Sequence, residues 1–285
     1  MKRFLTIVGV VLVVAIVVGF LTFPTDALVR TVLERAPLPD RMQLQFAGAH
    51  LRPSGLRLDD VHIVRDGGDT AFDALSLRLR PSLWGLWQDR TGRPWTIAAE
   101  TCQGAIELSI GTAPAGTALA AMIQSVELAT CLPYVFPQVQ AYGRLDGTFD
   151  VDLADGGGAT ASKGALEIKS ASWTPGGPFE DTAFRADTAA LTWQFGNGRL
   201  ELTKIESAGK DFQASGSGVI RIVSPIDDSP IEIRLDVTPG ATMPPMLRRY
   251  FDAFQGGAPT AQGTRSFRIQ GPLRDPRLVG APGRP

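Results

Sequence analysis

The sequence predicts a mostly β protein, with a single N-terminal transmembrane helix followed by a curved, largely antiparallel β-sheet domain with a few short helices. One observation is an unbroken apolar run from Phe4 to Phe23. Another is the strict alternation of apolar and polar residues over most of the remaining chain. Glycine (31 residues) and proline (21 residues) are plentiful, which favours many turns over long helices.

The N-terminal apolar run has the length of a membrane-spanning helix. It carries no charge, and at 1.5 Å per residue it spans roughly 30 Å, the thickness of the hydrocarbon core of a bilayer. Lys2 and Arg3 precede the run, whereas the first basic residue after it is Arg30. The positive-inside rule therefore keeps the N-terminus in the cytoplasm. In a bacterium, this predicts a single-pass inner-membrane protein with its C-terminal domain in the periplasm.

A cleaved signal peptide is the alternative explanation of this run. Its apolar region is usually about 7–15 residues long and ends in a small-x-small site. Here the run is longer, and it ends in bulky residues such as Phe20 and Phe23. We therefore expect an uncleaved anchor in residues 1–23, an amphipathic helix and linker in 24–40, a periplasmic β-rich domain in 41–276 and a flexible tail in 277–285.

The alternation defines an apolar face for the predicted sheet. In an antiparallel meander such alternation means that one face is wet and the other is apolar. We expect Phe149 and Ile233, for example, to be far more buried than Asp150 and Glu232. The residues predicted to line this face as a groove or an interface are Leu145, Phe149, Val151, Trp193, Phe195, Ile233 and Leu235.

Helical segments are few, and the strands carry local signals. The candidate helices lie at 81–88, at about 117–128 and at 243–254. The alternation changes phase at Asp59-Asp60, which predicts a bulge or a tight bend, and Asn197-Gly198 is a hairpin signal. Three short helices cannot cover a sheet of ten or more strands. The sheet must therefore curl on itself or leave an apolar groove for another molecule.

The two cysteines, Cys102 and Cys131, are predicted to form a disulfide. Paired cysteines commonly oxidise beyond an inner membrane, and this bond would close a loop of about 30 residues, worth roughly 3 kcal/mol. Two buried free thiols are the alternative. Neither cysteine forms a cluster of ligand spacing with His50 or His62, so we expect no metal site and no cofactor.

Charge and motifs argue against several functional classes. The formal net charge is −1 without a basic stripe, so nucleic acid is a poor candidate partner. Asp146, Asp150 and Asp152 fall on the solvated face of a strand, which explains their spacing without catalysis. A hydrolase would need Ser, His and Asp residues converging on a pocket, and nothing in the sequence suggests this. We therefore expect no enzyme activity.

Three segments together resemble a known group of proteins. They are GLRLDDVHI (55–63), LSLRLRPSLWGL (75–86) and FRIQGPLRDP (267–276). Their order and the N-terminal anchor resemble the protein N family of type II secretion systems, which shares features with AsmA-like periplasmic proteins. Each motif is mostly alternation plus glycine, and the resemblance gains its force from their order.

The resemblance implies an inner-membrane-anchored periplasmic β protein that serves as an accessory or assembly component of type II secretion. Its partners would be secretion subunits in the inner membrane or periplasm, contacted through strand edges or the apolar face. The AsmA-like similarity implies an alternative, a groove that binds or transfers lipid acyl chains. An apolar face without interruption favours lipid, whereas an interior filled by side chains favours a scaffold.

Overall fold

A computed structural model describes residues 42–52, 55–65, 70–81, 94–114, 116–135, 140–155, 158–174, 183–253 and 263–280. These residues form one antiparallel sheet of fourteen strands, and the order of strands in the sheet is their order in the chain. The sheet is a meander whose first and last strands do not pair, so it is open. The prediction of a mostly β, largely antiparallel fold is confirmed for this part of the chain.

The strands are long, and each pairs with its neighbours in the chain. In order, β1 to β14 are Met42–Arg52, Gly55–Arg65, Thr70–Pro81, Trp95–Thr101, Gly104–Ala113, Gly116–Glu127, Gln140–Ala154, Ala159–Thr174, Phe184–Gly196, Arg199–Ala208, Phe212–Arg221, Pro230–Pro239, Arg265–Pro272 and Arg277–Gly280. A one-turn 3₁₀ helix, Ile226–Asp228, precedes β12.

Two α-helices interrupt the described part of the meander at the same edge of the sheet. Helix α1 (Leu128–Val135) joins β6 to β7, and α2 (Pro245–Ala253) joins β12 to β13. Both connections lie at the edge that also carries the β4–β5 and β10–β11 turns, which we call the helical edge. The opposite edge carries the connections β1–β2, β5–β6, β7–β8, β9–β10, β11–β12 and β13–β14, and we call it the hairpin edge.

One predicted helix is a strand. The helix expected at 243–254 is present as α2, whereas 117–128 lies almost entirely in β6. This segment is rich in alanine, so its helical and alternating patterns overlap. Pairing with β5 and β7 places Leu119, Ala121 and Ile123 opposite apolar residues of both neighbouring strands, and these contacts favour a strand over a helix. The candidate helix at 81–88 lies outside the described residues except for Pro81, which ends β3.

No helix among the described residues is long and apolar enough to cross a bilayer. The anchor predicted from Phe4 to Phe23 and the amphipathic helix predicted at 24–40 lie outside these residues. At the other end, the sheet extends beyond the predicted boundary at 276. Arg277–Gly280 pairs with β13, so these four residues belong to the sheet and not to the predicted tail.

Local backbone geometry explains two of the sequence signals. Asn197 and Gly198 both have positive φ (52° and 69°) between paired Gly196 and Arg199, which makes the expected tight hairpin. Asp60 has φ 54° within β2, and the buried residues on either side of it, Leu58 and Val61, are three positions apart. In a regular strand, buried residues are an even number of positions apart, so the spacing of three shows that the alternation changes phase here, as predicted. The positive φ of Asp60 bends the strand at this point.

Candidate functional site

The main feature of the sheet is a row of apolar residues that crosses all fourteen strands. Directly opposed residues of neighbouring strands point to the same face, so the register identifies each row. The row that we call the central row consists of Ala49, Leu58, Leu77, Ala99, Ile106, Ile123, Gly147, Leu166, Leu191, Ile205, Gly216, Leu235, Phe267 and Gly280. It contains no polar side chain.

A second row lies beside the central row, toward the hairpin edge, and it also crosses all fourteen strands. Its members are Leu51, Leu56, Leu79, Ile97, Leu108, Ala121, Phe149, Gly164, Trp193, Leu202, Gly218, Ile233, Ile269 and Leu278. This row too is apolar throughout. Three of the residues predicted to line the groove, Phe149, Trp193 and Ile233, lie in it, and Leu235 lies in the central row.

Two shorter rows flank this pair. Val151 and Phe195 lie on the hairpin side, in a row interrupted by Ser162, and Leu145 lies on the helical side, in a row interrupted by Ser207. All seven predicted residues therefore share one face, within four adjacent rows. The opposite face is polar, as one of its rows shows: Asp150, Lys163, Gln194, Glu201, Val219, Glu232, Gln270 and Arg277.

The apolar face is long and narrow. Fourteen strands spaced by about 4.8 Å extend for roughly 60 Å. Along each strand, the two apolar rows together take up about 14 Å, because residues on one face recur about every 7 Å. The resulting geometric footprint is roughly 800 Å², of which the parts around Leu58 and Phe267 are buried. A long apolar strip that remains partly exposed is a candidate interaction surface.

Glycines in these rows let large side chains lie flat on the sheet. A Cβ at Gly164 would overlap the indole ring of Trp193, and a Cβ at Gly218 would lie 2.6 Å from Ile233 Cγ1. A Cβ at Gly216 would likewise lie 2.6 Å from Leu235 Cδ2. Because these side chains cover the backbone of the neighbouring strand, they do not stand up to fill the space above the sheet.

The middle of the apolar face remains partly exposed. In the central row, residues below a tenth exposed are confined to β1, β2, β4 and β13, as Leu58 (3 %) and Phe267 (7 %) illustrate. Phe149 and Ile233 are only partly buried, in the same class as Asp150. The expected contrast in burial is therefore present between the partly buried Ile233 and the exposed Glu232, and it is absent at this level between Phe149 and Asp150.

Three aromatic rings contact one another at the helical edge. The Trp173 ring stacks on Phe184 with centroids 5.4 Å apart, and both rings meet Phe212 edge-on at 5.9 and 6.3 Å. Further along, Phe251 of α2 contacts Phe267 of the central row, with ring centroids 5.8 Å apart. Helix α2 therefore contacts the β13 end of the apolar face through Phe251.

The predicted disulfide is present and fixes α1 to the helical edge. Cys102 and Cys131 are bonded, with Cα atoms 5.4 Å apart. Cys102 and Gln103 form the two-residue turn between β4 and β5, with φ values of 50° and 59°. The Glu127 amide also donates to the Cys102 carbonyl over 2.9 Å. The bond therefore joins this turn to the helix that follows β6.

Asp146 is a carboxylate held by two hydrogen-bond donors. It lies between two irregular positions, Ser125 of β6 and Ser170 of β8, which both have positive φ. The Ser125 amide donates to Asp146 Oδ1 over 2.8 Å, and Lys169 Nζ donates to Oδ2 over 3.0 Å. The Ser125 amide first, and then Lys169, lower the pKa of Asp146, while Asp146 raises the pKa of Lys169. This carboxylate stabilises a bulge and is not poised for proton transfer.

Replacing Asp146 by asparagine is expected to reduce the free energy of unfolding at neutral pH by about 1 kcal/mol, the usual net value of a hydrogen bond. Because the folded-state pKa of Asp146 lies below its ordinary value of 3.8, its contribution is present above that pH and is lost as the pH falls further. Urea unfolding at pH 7 and pH 3 measures the difference. An Asp146→Asn penalty that is equal at both values would contradict this role, and Asp155→Asn, at an exposed turn, is the control.

The two histidines lie in β1 and β2, and both have carboxylate partners. His50 Nε2 lies 3.2 Å from Asp59 Oδ2. His62 lies between Asp73, 3.2 Å from Nδ1, and Asp60, 3.3 Å from Nε2. Within the described residues, no serine, threonine or cysteine is hydrogen-bonded to either ring, and no cluster suited to a metal ion occurs. This arrangement resembles surface ion pairs.

Comparisons with protein-family models, with curated proteins and with solved structures find no significant match. The apolar face is therefore interpreted from its own geometry.

Proposed function

We propose that the apolar face holds the acyl chains of lipids and that the protein is a lipid-binding or lipid-transfer component of a bacterial cell envelope. The observation that carries the proposal is the pair of apolar rows that cross fourteen strands without a polar side chain. An extended hydrocarbon has no hydrogen-bonding groups, so it needs a continuous apolar track. An extended protein segment laid on this track would leave its backbone donors and acceptors unpaired, because the rows offer none.

The dimensions of the face support the same occupant. One leaflet of a bilayer has a hydrocarbon depth of about 15 Å, half of the ~30 Å core, so the face accommodates acyl chains laid along or across the strands. The flat packing of Trp193 and Ile233 over glycines leaves room above the sheet. Each buried CH₂ group contributes about 0.8 kcal/mol, which is sufficient to hold a long chain on an open surface.

Trp193 provides a direct test, because its ring lies on the apolar face. Lipids with brominated acyl chains quench a tryptophan that they touch. We expect brominated phospholipid to quench the fluorescence of the chain and to lose the contribution of Trp193 in Trp193→Phe, while Trp95, which lies on the same face, retains its own. The matched control is Trp173→Phe, at the helical edge, which should retain the quenching. Equal quenching of the wild type and Trp193→Phe would contradict acyl binding at this face.

An assembly role in type II secretion is a second candidate. It rests on the sequence resemblance, and the exposed edge of β14 favours it. Leu278 and Val279 are 45 % and 41 % exposed, and among the described strands β14 pairs only with β13. Such an edge can accept a further strand from a partner subunit. Both candidate functions place the chain on the inner membrane with its sheet in the periplasm.

The topology is tested by reporter fusions at Pro285. We expect alkaline phosphatase fused there to be active and a fluorescent protein that folds only in the cytoplasm to be dark, because Lys2 and Arg3 keep the N-terminus inside. Moving the two charges beyond the apolar run, by Lys2→Gln and Arg3→Gln with two lysines placed after Phe23, should reduce phosphatase activity. On the unaltered chain, an inactive phosphatase together with a fluorescent cytoplasmic reporter would overturn the periplasmic location.

A further inference from the structure

Four arginines surround one small pocket at the hairpin edge, on the polar face of β1–β3. The pocket has a volume of about 130 Å³, and Arg52, Arg57, Arg78 and Arg80 line it. Arg57 and Arg78 are directly opposed across the β2–β3 pair. Like charges in this position repel each other, so the arrangement destabilises the sheet unless anions compensate it.

The carboxylates near this pocket compensate only half of the charge. Arg57 Nε lies 2.6 Å from Asp59 Oδ1, and Arg78 Nη2 lies 2.6 Å from Glu100 Oε1. His50 also approaches Asp59. No carboxylate within the described ranges is within ion-pair distance of Arg52 or Arg80, and both are exposed. The group therefore has an excess of two positive charges.

Two further features indicate a binding site. Arg78 Nε is buried and has no hydrogen-bond partner among the described residues, which is costly for a charged donor. Gly55 lies on the same face between Arg52 and Arg80, and its φ of 131° brings the backbones of β2 and β3 close together. A Cβ at this position would overlap the Leu79 carbonyl, so the floor of the pocket is bare backbone.

The geometry points to a binding site for a phosphate-type oxyanion, carried by the headgroup of an anionic lipid. Guanidinium groups bind phosphate oxygens through paired N–H donors, and four of them converge here. The neighbouring residues Leu51, Leu56 and Leu79 begin the second apolar row on the other face of the same strands. A lipid at this edge would place its chains on the apolar face and its phosphate on the arginines. The lipid source of the phosphate rests on the proposed function, whereas the oxyanion site does not.

The test uses the 285-residue chain in detergent micelles and three probes. They are dioctanoyl phosphatidylglycerol, dioctanoylglycerol, which has the same chains without phosphate, and sodium phosphate. The variant is Arg52→Gln with Arg80→Gln, because neither side chain has a carboxylate partner among the described residues. The control is Arg221→Gln with Arg248→Gln, which removes two exposed arginines outside the pocket.

We expect the wild type to bind the phosphatidylglycerol at least about tenfold more tightly than the dioctanoylglycerol. This preference should disappear in the Arg52/Arg80 variant and remain in the control. Equal affinity of the wild type for both lipids, or an unchanged preference in the variant, would overturn the lipid site. If neither lipid binds but sodium phosphate binds in a way that depends on Arg52 and Arg80, the oxyanion site is supported and the acyl-binding function is wrong. If sodium phosphate does not bind either, both the oxyanion site and the acyl-binding function are wrong.

Discussion

Replacing Phe149 by aspartate is expected to leave the sheet folded and to abolish the lipid that co-purifies with the protein. Phe149 lies in the middle of the second row and is only partly buried, so a carboxylate there keeps contact with water. An acyl chain crossing this point would have to strip that water from the charge, which costs several kcal/mol. Circular dichroism and mass spectrometry of extracted lipid measure the two effects.

Thr148→Asp is the matched control for this substitution. Thr148 is the preceding residue of the same strand, points to the opposite face and is exposed. It should leave both fold and lipid content unchanged. If Phe149→Asp unfolds the domain while Thr148→Asp does not, the apolar face is a sealed interior. A folded Phe149→Asp protein that carries as much lipid as the wild type would equally contradict a groove.

Loss of the disulfide is expected to have the second large effect. The bond closes a loop with a sequence separation of 29 residues, and its removal should lower the free energy of unfolding by about 3 to 4 kcal/mol. That is a large part of the 5–15 kcal/mol that typically stabilises a domain. Because the bond holds α1 against the β4–β5 turn, the amides of α1 should also exchange faster in hydrogen exchange.

Cys102→Ser combined with Cys131→Ser provides this comparison, with urea unfolding as the measurement. Reductant should destabilise the wild type to the level of the double variant and leave the double variant unaffected. An identical unfolding midpoint for the reduced and oxidised wild type would show that the bond contributes nothing. A further loss of stability when reductant is added to the double variant would mean that reductant acts elsewhere.

The strands were predictable because alternation is a local pattern. Phe149, Val151, Ile233 and Leu235 were assigned to one face from their spacing, and the register places them there. The disulfide is predictable from the presence of two cysteines and from the oxidising compartment that the apolar N-terminal run predicts. The helix predicted at 117–128 is wrong, since alanine fits a helix and the inner or outer face of a strand equally well.

The continuity of the apolar rows was not predictable from alternation alone. Leu202 and Ile205 lie in adjacent rows of the same face, although they are three residues apart. A register shift between Leu202 and Lys204 restores the phase, and similar shifts occur near Ser125 and Ser170. The local sequence does not specify such bulges, because they depend on which residue of the neighbouring strand is opposed.

The arginine pocket was also missed, for a related reason. Arg57 and Arg78 belong to different strands, 21 positions apart, and only the β2–β3 register makes them neighbours. In the sequence each is one charged residue on the wet face of an alternating strand. The signal that distinguishes them is Gly55, a strand-initial glycine followed by Leu56 and Arg57, which leaves the backbone bare between the arginine side chains.

Photoaffinity mapping in cells tests the central claim most directly. Cells that make the 285-residue chain are fed a fatty acid with a diazirine in its chain and are illuminated, and the labelled peptides are then identified by mass spectrometry. We expect labels on several strands of the apolar face, including the peptides that contain Phe149, Trp193 and Ile233, and we expect these labels to be lost in Phe149→Asp. Labels confined to the apolar run between Phe4 and Phe23, with none on the sheet, would contradict an acyl-binding face.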